Sequence, residues 1–246
     1  MKIDKANLST QRAFTLIELL VVISIISVIA GMTLVVAGSV GKTRKISVVK
    51  GELAAIESAL DNYKAKYGVY PPSNQNGVNT YSLTGNDRSQ LSQLYYELVG
   101  TTNTGISFMV LTLDDNSTIS TSPANLVSKA YGVGGFVNCS KHGGGGEDTA
   151  LAKNFLPSLT SKQIDTYVTN VNGVDRIRTT ALITSVGGPD DNYKPLAASG
   201  LNPIRYVYPG TNNVGSYDLW VQLQISGKKY LVCNWSKSVQ VNSPMP

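Results

Sequence analysis

The chain has 246 residues, with 21 Lys and Arg against 16 Asp and Glu, a formal net charge of +5. Charged residues make up only 15% and hydrophobic residues 42%, which excludes a charge-rich disordered chain and points to a packed body. The basic residues are scattered, and the densest cluster, Lys42-Thr43-Arg44-Lys45, has no aromatic interleaved, so nucleic acid is not an expected partner. One His and two Cys leave little for metal chemistry or acid–base catalysis, so no enzyme is expected.

In chain order, a short basic stretch comes first, with Lys2, Lys5 and Arg12 against Asp4. After Glu18 no charged residue occurs until Lys42, and residues 19–41 are uncharged and mostly apolar. As a helix this run extends roughly 35 Å, enough for a ~30 Å hydrocarbon core. It is longer than the apolar region of a secretory signal, and the helical pattern continues beyond it. The flanking charges are basic on both sides, so they leave orientation undecided. Glu18 sits at the edge of the run, either solvated at headgroup level or paired, because an unpaired carboxylate at depth costs about 2–3 kcal/mol.

Beyond the run, Ile46, Val49, Leu53, Ile56, Leu60, Tyr63 and Tyr67 recur at spacings of three and four, the stripe of an amphipathic helix. Gly31, Gly38, Gly41 and Gly51 each weaken that helix by roughly 1 kcal/mol relative to Ala. They serve either bending or close helix packing. Gly68 and Pro71-Pro72 end it, so one helix is expected from about residue 14 to 67. Residues 73–90 are polar and turn-rich. Residues 89–99 read as a short helix with Leu91, Leu94, Tyr95 and Leu98 on one face. Residues 106–113 are an apolar run, helix or strand. Residues 114–150 read as loop, ending in four glycines at 143–146. Residues 157–167 suit a helix capped by Ser158 or Ser161, and 174–186 a strand with Ile177, Ala181 and Ile183 alternating. Residues 217–225 and 228–235 flank Ser226-Gly227, a hairpin turn.

The two cysteines, Cys139 and Cys233, fit no zinc or redox spacing. They are either free thiols or one disulfide, which would contribute roughly 4–5 kcal/mol in the chain-entropy model. Gly41-Lys42-Thr43 mimics the end of a phosphate-binding loop, but Val36 stands where that pattern needs Gly. His142 is a lone loop histidine. Asp114-Asp115 and Asp190-Asp191 suit turns better than acid–base work.

Three stretches carry a family resemblance. Arg12-Ala13-Phe14-Thr15-Leu16-Ile17-Glu18-Leu19-Leu20-Val21-Val22 resembles the class III signal of type IV pilins and type II secretion pseudopilins. Glu57-Ser58-Ala59-Leu60-Asp61-Asn62-Tyr63-Lys64, followed by Tyr67-Gly68-Val69-Tyr70-Pro71, resembles the major pseudopilin of type II secretion. So does Asn202-Pro203-Ile204-Arg205-Tyr206-Val207-Tyr208-Pro209-Gly210 with Ser216-Tyr217-Asp218-Leu219-Trp220. The resemblance implies a cleaved leader at residues 1–13, with the scissile bond between Ala13 and Phe14, and N-methylation of Phe14 by a prepilin peptidase. Ala13 departs from the family's preferred Gly. A transmembrane helix half at 14–41 and a periplasmic head at 42–246 follow, the head comprising the amphipathic half 42–67 and an insertion at about 100–195.

The implied fold is α+β and pilin-like, a long N-terminal helix packed on a small antiparallel β-sheet head. The implied function is structural: a subunit polymerising through its N-terminal helix into a short periplasmic pseudopilus that drives type II secretion. The implied location is the bacterial inner membrane, single-pass, with the head in the periplasm. Partners are further copies of itself, other pseudopilins, the prepilin peptidase, the inner-membrane assembly platform and membrane lipid. Glu18 is expected to pair with a neighbour's Phe14 amine and so set register. The family's acidic calcium loop has no counterpart among Gln222, Gln224, Ser226, Lys228 and Lys229; Asp218 alone cannot build such a site, and no cofactor is expected. A type IV or competence pilin is the nearest alternative. A membrane-anchored periplasmic binding module, using 100–195 as its recognition surface, is an alternative of another class.

Overall fold

The computed structural model describes residues 14–73, 93–103, 108–110, 134–141, 151–171, 175–186 and 202–243. Helix α1 is Leu16–Tyr67. It is unbroken through its glycines, and a Cβ built at Gly31, Gly41 or Gly51 meets nothing within 4 Å. Among the described residues nothing therefore requires glycine for close packing at these three positions. The helix ends where the sequence placed the stop. Gly68 takes φ +80° and its N–H donates to Lys64 O at 2.7 Å, a left-handed cap that a Cβ would strain.

The chain forms two compact units, Met1–Arg44 and Lys45–Pro246. The second has a core of its own. Val49, Leu53, Ile56, Ala59, Leu60 and Tyr63 on α1 are buried in it, with Ile46 and Tyr67 partly buried. Their partner is the inner face of a four-stranded antiparallel sheet in the order β6 (Arg205–Val207), β7 (Asp218–Ile225), β8 (Lys228–Cys233), β9 (Gln240–Val241). Leu219, Val221, Leu223 and Ile225 alternate along β7 toward that core, the two-residue period of a strand. Each such buried aliphatic side chain is worth about 1.5–3 kcal/mol. The opposite face of β7 is covered as well: Trp220 packs with Leu231, Cys233 and Trp235. The Ser226-Gly227 turn joins β7 to β8 as expected, with both residues at positive φ. The architecture is α+β, a long N-terminal helix with a small antiparallel sheet.

The middle of the chain departs from the sequence reading. The short helix α2 is Leu94–Val99, and all six of its residues are buried rather than only one face. It leads into β1 (Thr101–Asn103), which pairs antiparallel with β2 (Phe108–Val110) and parallel with β3 (Cys139–Lys141). A strand thus lies inside the expected loop 114–150, and the head contains a parallel pair alongside its antiparallel ones. The helix expected at 157–167 is a single 3-10 turn, Ser161–Gln163, followed by β4 (Ile164–Val171), which pairs antiparallel with β5 (Asp175–Leu182). The physical reason is composition: Ile164, Thr166, Val168, Thr169 and Val171 are β-branched and stiff at χ1, which favours the strand. The readings of Leu91, His142, residues 143–146, Asp114-Asp115 and Asp190-Asp191 fall outside the described residues, as does most of the 73–90 segment.

Candidate functional site

The N-terminal part of α1 carries the residues singled out in the sequence. Residues 14–32 are all exposed, with Phe14 at 79% and Leu16, Ile17, Leu19, Leu20, Ile23, Ile26 and Ile29 more than half exposed. A helix apolar all round and uncovered in a single chain needs an apolar medium or other helices around it. Its few hydroxyls do not spoil that surface. Ser24 Oγ donates to Val21 O at 2.8 Å and Ser27 Oγ to Ile23 O at 2.7 Å, so both are satisfied by the helix's own carbonyls. Among the described residues, no helix is long and apolar enough to cross a membrane.

Glu18 closes the helix entrance. Its Oε2 accepts from Thr15 N–H at 2.9 Å and from Thr15 Oγ1 at 2.7 Å, while Glu18 N–H faces Thr15 Oγ1 at 3.3 Å. Thr15 and Glu18 therefore form a reciprocal capping box, which satisfies orphan donors of the first turn. The sequence reading missed Thr15, although Thr15-Leu16-Ile17-Glu18 is the Thr-x-x-Glu signature preceding an apolar run. The cap uses Thr15 N–H and not the nitrogen of Phe14, so it does not compete with a cut before Phe14. Both bonds from Thr15 end on Oε2, and Oε1 accepts none among the described residues. Phe14 is described and exposed; Ala13 lies outside the described residues.

The head is locked to α1 by a second carboxylate. Glu97 on α2 has 0% exposure. Its Oε2 accepts from Tyr63 Oη of α1 at 2.9 Å and from Asn138 N–H at 3.0 Å, and its Oε1 accepts from Val137 N–H at 3.0 Å. Asn138 Nδ2 donates to Glu97 O at 2.7 Å and to Lys153 O at 2.7 Å. One side chain thus ties α1, α2 and the segment before β3. Burial pushes its carboxyl pKa up, partly offset by the N–H donors of Asn138 and Val137 and by Tyr63.

Asp218 is held by amide donors of the preceding loop. Its Oδ2 accepts from Thr211 N–H at 2.8 Å, Asn212 N–H at 2.8 Å and Asn212 Nδ2 at 3.1 Å, and its Oδ1 from Asn213 N–H at 2.9 Å. The carboxylate is occupied by N–H donors, which a cation would have to displace. Gly210 makes this closure possible, because a Cβ there would lie 2.8 Å from Asp218 Oδ1 and 2.9 Å from Asp218 N. Among the described residues no three His, Cys, Asp or Glu side chains group together. Cys139 opens β3 and Cys233 closes β8, in different sheets. Both are free cysteines in the structure. Burial raises both pKa values, which favours the protonated thiol.

Residues 8–34 match the prokaryotic N-terminal methylation motif. The chain is 38% identical over 65 residues to the type II secretion system core protein G of Pseudomonas aeruginosa, covering 26% of this chain and 46% of that protein. It is 45% identical over 67 residues to the type II secretion system core protein G of Escherichia coli strain K12, covering 26% of this chain and 45% of that protein. The similarity lies in the N-terminal region. The chain thus spans slightly less than half the length of these curated relatives. No solved structure matches it significantly.

Proposed function

We propose that the chain is a structural pseudopilin subunit of a type II secretion system, which polymerises through its N-terminal helix into a short periplasmic fibre and catalyses no reaction. The observation that carries this reading is the uncovered apolar helix entered through the Thr15–Glu18 cap, within the matched methylation motif. Cleavage between Ala13 and Phe14 by a prepilin peptidase frees the Phe14 amine, which becomes N-methylated. The leader lies in the cytoplasm, residues 14–41 cross the inner membrane once, and the head stands in the periplasm. The Glu18 oxygen left over by the cap accepts the Phe14 amine of a neighbouring copy. Each subunit then contributes one anion and one cation to the fibre core, so neither charge is left isolated. Further copies, other pseudopilins and the inner-membrane platform complete the assembly, with no metal required by the head.

The test is Glu18→Leu. The variant inserts and is processed, because the leader and the Ala13-Phe14 bond are intact, and its head melts like the parent's. Crosslinked oligomer in membranes and fibre yield fall sharply. Undiminished fibre assembly by Glu18→Leu would refute the pairing role and leave Glu18 as a cap alone.

A further inference from the structure

A cleft opens on the head between α1, the stretch 156–163 and the end of β5. Its floor is Ile56, Leu156, Leu182 and Ile204, and its rim includes Glu52 and Ser158. Backbone bonds tie the walls together. Ile183 N–H donates to Gln163 O at 2.8 Å, Ile204 N–H to Leu182 O at 2.9 Å and Leu159 N–H to Leu156 O at 3.2 Å. The cleft measures about 300 Å³ with its open mouth, the lower limit of small-molecule sites, so it suits one inserted side chain. Among its described lining residues Glu52 alone is charged. The half-buried carboxylate accepts from Ser185 N–H, at 3.2 Å to Oε1 and 3.3 Å to Oε2, and has no cation partner among the described residues. An anion above an apolar floor fits a lysine, whose methylenes lie on the apolar surface while its ammonium reaches the rim. The exposed Ser158 hydroxyl offers that ammonium a second acceptor.

The chain itself carries cations in surplus, with a net charge of +5. Several of its lysines are engaged within the head: Lys50 with Lys237 O, Lys66 with Leu151 O, Lys64 over the Tyr70 ring and Lys153 over the Phe155 ring. Lys228 has no such contact among the described residues. It is exposed and directly follows the Ser226-Gly227 turn, at the projecting tip of the β7–β8 hairpin. The tip is held, since Lys229 N–H donates to Asn242 Oδ1 at 3.2 Å and Asn242 N–H to Lys229 O at 2.8 Å. A cation on fixed backbone loses little freedom on docking. We propose that the cleft at Glu52 receives Lys228 of a second copy of this chain, as a contact between heads in the assembled fibre. This rests on the fibre reading given above. Cleft and tip are different patches, so the contact is heterologous. Each added copy leaves one cleft and one tip free, which lets it propagate.

The experiment treats oligomers of the full processed chain with a water-soluble carbodiimide, which joins an amine to a carboxylate in contact with it. Peptide mass spectrometry should find Glu52 joined to Lys228. Glu52→Gln alone and Lys228→Gln alone should each lose the link. Cells making both variant chains together should regain it, and there it can only bridge two copies, because each chain keeps one of the two groups. Charge reversal gives a second readout. Glu52→Lys or Lys228→Glu alone should lower oligomer yield severalfold, because like charges then meet. Glu52→Lys/Lys228→Glu in one chain should restore it, which a merely misfolded head would not do. Oligomer in which Glu52 is joined to another lysine, to a different protein or to nothing overturns the proposal. So does a double reversal no better than the single ones. A parent chain that forms no oligomer defeats the fibre reading and the contact with it, whereas an oligomer without this link defeats the contact alone.

Discussion

Replacing Glu97 by Gln tests the lock between α1 and the head. The side chain keeps its size, but only one of its two terminal atoms can accept. With the amide oxygen at the Oε2 position, the bonds from Tyr63 Oη and Asn138 N–H survive. The amide nitrogen then faces Val137 N–H, donor against donor. In the flipped orientation the amide nitrogen faces Asn138 N–H instead, while Tyr63 Oη can turn to accept from it, so one backbone donor is orphaned either way. A buried donor left without its acceptor costs about 1–3 kcal/mol. In a chain of this size that lowers Tm by about 2–4 °C per kcal/mol. Thermal unfolding of the detergent-solubilised full chain, followed by near-ultraviolet circular dichroism, measures it. The pH dependence gives a second, independent readout. Because burial raises the carboxyl pKa of Glu97 in the folded state, the folded state holds this proton more tightly than the unfolded one. Its contribution is fully present below the unfolded value of about 4.5 and declines as pH rises through the folded pKa. Gln does not titrate, so the stability gap between parent and variant should be widest near pH 4.5 and narrow toward neutrality. A gap that widens with rising pH would mean that the three donors outweigh burial and hold the group ionised, refuting the assigned direction.

Two further predictions concern the loop around Asp218. Gly210→Ala places a methyl group 2.8–2.9 Å from Asp218 Oδ1, Asp218 N and Tyr217 C, two of them backbone atoms. Overpacking of this kind costs about 1–3 kcal/mol, read as a lower Tm with α1 helicity retained; an unchanged Tm would show that the loop relaxes freely. Adding or chelating calcium should leave the Tm of the full chain unchanged, since the Asp218 oxygens are taken by four N–H donors. A calcium-dependent rise would reveal folded-state binding by mass action.

What was legible in the sequence follows from the range of the interactions. The stripe from Ile46 to Tyr67 and the stop at Gly68 are local periodicity and local backbone chemistry, and both appear where expected. The hairpin at Ser226-Gly227 is equally local. Strands β1 and β3 are three residues each and pair across 38 residues of chain, so no period in either announces them. The first half of β4 falls in the stretch 157–167, expected as a helix capped by Ser158 or Ser161, but the β-branched run from Ile164 to Val171 carries the stronger preference. Glu97 is not among the residues on the apolar face expected for the 89–99 helix, yet it is fully buried. Its donors, Val137 and Asn138, lie 40 and 41 residues away, and only the fold brings them to it. At the N-terminus the acidic residue was noticed for its charge, whereas the Thr15 three positions before it, which fixes that carboxylate, was readable and overlooked.

The central claim is that the chain is a processed, N-methylated subunit. Intact-mass measurement of the protein extracted from membranes of cells with an active prepilin peptidase tests it most directly. The account predicts a chain that has lost residues 1–13 and begins at Phe14 carrying one added methyl group. A chain that retains its Met1 leader in those cells would contradict it.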